Sequence, residues 1–157
     1  MEIFAFDNLV ASRSKLNKPY LEFLQVPSLS VGLYVLSAGA VDPQLPHADD
    51  EVYHIISGSG TLVLGPDILE MKRRPATAET VRLFNGPGNN GTSIRDGKSY
   101  NLKPGDVVII PAGTGHWFTK IDEHITYLMV RIDPDKVTPP KDEAASQAYL
   151  NEPPRPR

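Results

Sequence analysis

The chain contains no cysteine among its 157 residues. That excludes a disulfide framework, and it leaves only nitrogen and oxygen to hold any metal. Basic residues are not in excess: 16 Lys and Arg stand against 19 Asp and Glu, a formal net charge of -3. This balance gives no reason to expect nucleic acid or an anionic membrane as the main partner. No apolar run approaches membrane-spanning length. The opening MEIFAFDNLV lacks the basic start and long apolar core of a secretory signal, so a cytoplasmic location is the expectation. No internal repeat is evident, and no pair of helices suited to DNA.

What the chain does have is punctuation. Fifteen prolines and twelve glycines divide it into short segments, which favours an all-β domain with many turns over a helical bundle. The length suits one domain, 1–157, with a sizeable core. The stretches PYLEFLQV (19–26) and LSVGLYVLSA (29–38) read as strands, the second apolar on both faces. EVYHIIS reads as a strand closed by a GSG turn, with TLVLG (61–65) as its hairpin partner. TSIRDGKSY (92–100) reads as a hairpin turned at Asp96-Gly97. DVVII (106–110) is a buried strand, PAGTG (111–115) a tight loop, and HITYLMVRID (124–133) the last clear strand. In that strand Ile125, Tyr127, Met129 and Arg131 share one face. Residues 66–91 break this rhythm and read as an insertion in a β-core of about 20–133. A short helix is expected after Asp7 and another in KDEAASQAYL. The tail, 134–157, holds six prolines, and its NEPPRPR end is expected to be extended or disordered.

The chemistry-bearing residues concentrate in PHADDEVYHIISGSG, 46–60. In an extended segment His47, Asp49, Glu51 and Tyr53 point to one face and His54 to the other. One metal can take His47 and Glu51 from such a strand, and His54 only if a bulge shifts the alternation. PAGTGHWF places His116 after a tight loop, where a neighbouring antiparallel strand can bring its imidazole to the same centre. Two imidazoles and a carboxylate with open positions suit Fe, Mn, Ni or Zn.

Two motifs, in order, then make the chain resemble a cupin, the RmlC-like jelly-roll β-barrel superfamily. The first, G-x5-H-x-H-x3,4-E-x6-G, is matched in spacing by Gly39, Leu45, His47, Glu51 and Gly58. The second, G-x5-P-x-G-x2-H-x3-N, is matched by Gly105, Pro111, Gly113 and His116, with Lys120 at the Asn position. The resemblance covers about residues 30–132. It implies a single-domain cupin barrel with an inserted loop between the motifs, and pairing as a homodimer, which the exposed edges of open sheets also favour.

By position the resemblance also implies a divalent metal on His47, Glu51 and His116, with the leading ligand replaced by Leu45. Three ligands remain, a two-His one-carboxylate set. Asp49, Tyr53 or His54 are the candidates to replace the lost one, and Tyr53 and His54 are the candidate acid or base. The expected function is metal-dependent chemistry on a small organic molecule, of dioxygenase or isomerase type. The alternative is a non-enzymatic sensor or carrier with a degenerate metal site and polar residues lining a ligand pocket. A glutamate pointing into a barrel without a partner is costly, which weighs for the metal. Asp106 and the Pro-x-Gly of 111–113 take structural roles, Phe118 is pocket wall or core, and His124 a surface residue. Arg73, Arg74 and Arg82 lie in the insertion, placed to hold an anionic substrate if it covers the barrel mouth, and otherwise solvated.

Overall fold

A computed structural model describes residues 20–26, 29–38, 50–78, 80–82, 86–135, 142, 144, 145 and 148. His47, Gly39, Leu45, Asp49 and the segment after Asp7 lie outside them. Ten strands carry the described fold: β1 (Tyr20–Val26), β2 (Leu29–Ser37), β3 (Asp50–Gly65), β4 (Asp67–Leu69), β5 (Lys72–Arg73), β6 (Asn89–Asn90), β7 (Ser93–Arg95), β8 (Lys98–Leu102), β9 (Val107–Ile110) and β10 (Gly115–Ile132). The architecture is all-β. Among the described residues no helix is long and apolar enough to cross a membrane.

Two long strands, β3 and β10, organise the rest. They pair antiparallel from Gly115↔Gly65 to Ile132↔Asp50. At one end β2 and β9 flank them, through His124↔Ser37 to Ile132↔Leu29 and Glu51↔Ile110 to His54↔Val107, with β1 outside β2. At the other end β8 takes over as the neighbour of β3, from Gly60↔Leu102 to Leu64↔Lys98.

This arrangement corrects three sequence expectations, one of them that 106–110 is a buried strand: β9 exposes Val107 and Ile109. GSG is not a hairpin turn: β3 runs through it without reversing. Instead it is where the strand bends and changes phase. Glu51, Tyr53 and Ile55 are buried before it, and Gly60 and Leu62 after it, so the inward parity switches from odd to even. Gly58 makes the bend possible, with φ +78 and a backbone close against His124. β10 switches likewise: His116 and Phe118 are buried, then Ile121, Ile125, Tyr127, Met129 and Arg131, with register shifts at Phe118/Lys120 and Ile121/Ile125. The third correction concerns 92–100. Asp96 does take a left-handed turn conformation, φ 53, but the flanking strands do not pair with each other. β7 pairs β4, and β8 pairs β3.

The insertion is an ordered arm over much of its length. β4 pairs β7 (Asp67↔Arg95) and β5 pairs β6 (Lys72↔Asn90) in one continuous antiparallel register. At its root Ile68 packs on Gly115, where a Cβ would sit 2.7 Å from the Ile68 side chain. The arm therefore springs from the barrel next to His116. In the tail, positions 144, 145 and 148 are helical, and Asp142 accepts a hydrogen bond from the Ala145 N–H (2.8 Å), as an N-cap does.

The core is one cluster between the strands: Tyr53, Ile55, Leu62, Leu102, Ile110, Phe118, Ile121, Ile125, Tyr127 and Met129. Tyr127 is at its centre. Its ring stacks on Tyr34 (5.2 Å between centroids) and lies 4.6 Å from Tyr53 and 5.7 Å from Phe118. Asp106 accepts the Lys103 N–H (2.9 Å) in the turn before β9, the structural role expected of it. Its neighbours on that turn, Gly105 and Gly113 in the next loop, both take positive φ.

Candidate functional site

Among the residues buried inside the barrel, four polar ones converge: Glu51, Tyr53, His116 and Arg131. Glu51 and Tyr53 leave β3 on its inward face. Arg131 is the register partner of Glu51 on β10, so their side chains meet across the ladder. His116 comes from the far end of β10. Strict alternation would put residues 116 and 131 on opposite faces, and only the change of phase between them turns both inward.

Glu51 is the hub. Its Oε1 accepts from Arg131 Nη2 at 3.0 Å and from Nε at 3.2 Å, and its Oε2 accepts the Tyr53 hydroxyl at 2.7 Å. Glu51 and Arg131 are each 2 % exposed. His116 Nε2 stands 3.6 Å from Oε2. Its Nδ1 lies 3.3 Å from the Thr114 carbonyl; a carbonyl only accepts, so Nδ1 donates, and the neutral ring would present Nε2 as its acceptor. The Tyr53 ring meets the imidazole edge-on at 6.2 Å. Burial, with the Glu51 charge adding to it, holds the Tyr53 hydroxyl well above the ordinary tyrosine value. Burial, then Tyr34 and Glu51, does the same to Tyr127, with Arg131 opposing.

These two phenols make alkaline stability a probe of the cluster. Unfolded tyrosine loses its proton near 10.0, while the buried phenol keeps it. Above that pH the folded state binds more protons than the unfolded one, so stability is full below it and falls as pH rises. In Tyr127→Phe the fall between pH 10 and 11 should be shallower by roughly 1 kcal/mol, since the unfolded phenol goes from half to mostly ionised over that unit. Urea unfolding at both pH values measures it, and an unchanged slope would place the phenol in water.

The described donors alone do not make a divalent-ion site. Among the described residues no three His, Asp or Glu side chains come together as one. Both oxygens of Glu51 are engaged, one by a guanidinium, and a cation there would sit beside that fixed positive charge. His54 is not part of the cluster. It is exposed on the outer face of β3, between Leu128 and Val107 in the register, because the alternation that turns Glu51 and Tyr53 in turns it out. His124 is half-buried and lies 3.2 Å from the Ser57 hydroxyl. A concavity of about 580 Å³ lies elsewhere, between β8 and β9, lined by Leu64, Tyr100, Leu102, Val108 and their neighbours and by none of the four cluster residues.

Comparison with known proteins bears on this geometry. An uncharacterized protein of Streptomyces coelicolor is 33% identical over 135 residues, which is 86% of this chain and 99% of the relative. The family pattern described as AraC-like ligand binding domain matches residues 90–155. Among solved structures, a Bacillus halodurans protein covers 85% of this chain and 83% of its own at 12% identity and a TM-score of 0.53. An RmlC-like cupin with a double-stranded β-helix fold, from Methanocaldococcus jannaschii, covers 87% of this chain and 94% of its own at 16% identity, also with a TM-score of 0.53. The fold is the cupin double-stranded β-helix.

In this cupin-fold chain the second motif is wholly described. Gly105, Pro111 and Gly113 shape the turns around β9, and His116 follows them into the barrel. Of the first motif, Glu51 and Gly58 are described. The sequence reading gave no role to Arg131, which holds the carboxylate. The signal was present: a charged residue ending the apolar series Ile125, Tyr127, Met129 has to find a buried partner. Nor did it separate Arg74 from its neighbours Arg73 and Arg82, which are exposed where Arg74 is half-buried.

Proposed function

We propose that this cupin-fold chain binds a small organic molecule inside its barrel, with the Glu51–Arg131 pair as a fixed polar floor and without turnover, as a sensor or carrier module. One observation carries the reading: the glutamate that the metal hypothesis needs is already neutralised by a buried guanidinium. The cost that argued for a metal, an unpartnered carboxylate in an apolar interior, is met by Arg131 instead. Tyr53, Tyr127 and Phe118 pack beside the polar groups, so aromatic and polar surface adjoin there, the mixture that small-molecule sites use. The AraC-like ligand-binding pattern supports the same function class.

A second reading keeps the metal. His116 Nε2 lies 3.6 Å from Glu51, and the donation from its Nδ1 to a backbone carbonyl is the support a metal-bound histidine has. With His47 as third ligand the set would be two imidazoles and a carboxylate, suited to Fe, Mn, Ni or Zn, and the function would be isomerase or oxygenase chemistry.

Protein purified without a histidine tag separates the two. The binding reading expects substoichiometric metal by elemental analysis and a melting temperature unmoved by chelator. It also expects that some member of a panel of small acids, sugars and amides raises that temperature, by an amount equivalent to about 2.7 kcal/mol at a hundred times its dissociation constant. A stoichiometric metal whose removal lowers the melting temperature would establish the second reading.

A further inference from the structure

Arg74 sits just beyond β5 on the arm. Its backbone N–H donates to the Gly88 carbonyl (2.9 Å), and its Nε donates to the Asn90 side-chain oxygen (2.7 Å). These bonds fix the guanidinium from behind. Its Nη1, by contrast, is buried and has no hydrogen-bond partner among the described residues, the one side-chain atom there in that condition. A guanidinium N–H shut away from water without an acceptor is costly, and a site built this way calls for an acceptor that arrives later.

The surroundings say what kind of acceptor. Burial, above all, lowers the Arg74 pKa, with Glu51 favouring its charge and Arg131 opposing it. The arm that carries it is rooted against Gly115, adjacent to His116. Glu51 and Arg131 face each other as a buried pair with two N–H···O contacts. Arg74 Nη1 thus keeps an N–H to offer, and the matching ligand group is an anion with an oxygen to present.

We infer that Arg74 Nη1, presented by the arm, is the docking group for the carboxylate of a small organic acid. This rests on the binding reading above and specifies its ligand class. A carboxylate accepts from a guanidinium in the plane of its fork, with strength that a neutral carbonyl does not match. Asn90 holds the other edge of that fork in place.

The test uses the full chain and matched pairs of probes: acetate, lactate and benzoate against acetamide, lactamide and benzamide, at constant ionic strength. At least one acid should raise the melting temperature with millimolar or tighter affinity, and its amide should bind at least tenfold more weakly. Arg74→Gln should lose tenfold or more in affinity for that acid, while Arg73→Gln, an exposed neighbour on β5, should retain it. Amides binding as well as acids, or an Arg74→Gln variant with unchanged affinity, would overturn the docking role and leave the pocket standing. No binding by any acid at 10 mM would overturn it too. Stoichiometric metal with no organic ligand would instead remove the binding reading itself.

Discussion

Arg131→Met should cost this protein roughly 3–5 kcal/mol of stability, a fall of about 6–20 °C in melting temperature for a chain of this size. Arg131 and Glu51 are 2 % exposed, and two guanidinium nitrogens reach one carboxylate oxygen. Removing the guanidinium takes away the cation that lies on Oε1 and leaves a buried carboxylate with the Tyr53 hydroxyl and the His116 ring on its Oε2 side. Most of the loss is therefore the expense of an uncompensated charge and not the net worth of the pair. That distinction is measurable. The double variant Glu51→Met/Arg131→Met removes both charges and should recover most of the stability, because well-packed apolar replacements of buried pairs are often neutral or better. Urea unfolding of the four proteins gives the coupling energy directly. A single variant that loses less than about 1 kcal/mol would mean that water reaches the pair. A double variant no more stable than the singles would mean that the pair contributes net stability of its own. Either result bears on function, since a pair replaceable without loss of stability has some other reason to occupy the interior.

The sequence carried the class of the fold well, because proline and glycine punctuation and the two motif spacings depend on local chain geometry. Glu51 and His116 were legible for the same reason: each is fixed by a short-range pattern, inward alternation in one case and the Pro-x-Gly loop in the other. Arg131 was not, although its face was read correctly. Its role depends on the register partner, Glu51, eighty positions away, and no local pattern encodes register between distant strands. The strands around Gly58 misled for a related reason. A Gly-Ser-Gly between two apolar segments has the composition of a hairpin turn, and composition does not say whether the chain reverses or bends. The arm was visible as an interruption, but its pairing was not, since β5 and β6 are two residues long and carry no alternation to read.

Gly58→Ala tests that bend, and with it the geometry that turns the site inward. Two separate penalties act at this position. The φ of +78 lies in the left-handed region, which costs an L-residue roughly 1–2 kcal/mol. In addition, a Cβ there would sit 2.0 Å from the His124 carbonyl oxygen and 2.7 Å from its carbon, both backbone atoms of the facing strand. Backbone cannot swing aside as a side chain tip does, so the ladder must shift, at roughly 1–3 kcal/mol. The expected loss is therefore about 2–5 kcal/mol. Gly113 isolates the first part, because it has the same φ, +78, and nothing within 4 Å of a built Cβ. Gly113→Ala should lose only the conformational share, roughly 1–2 kcal/mol. Denaturant midpoints of the two variants measure the difference. Equal losses would show that β3 and β10 separate readily at the bend. A much larger loss at Gly58 would show that their close approach is rigid. In that case the glycine closing the first motif is required because strands that must change phase to bring Glu51, His116 and Arg131 inward also have to cross almost in contact, leaving no room for a side chain between them.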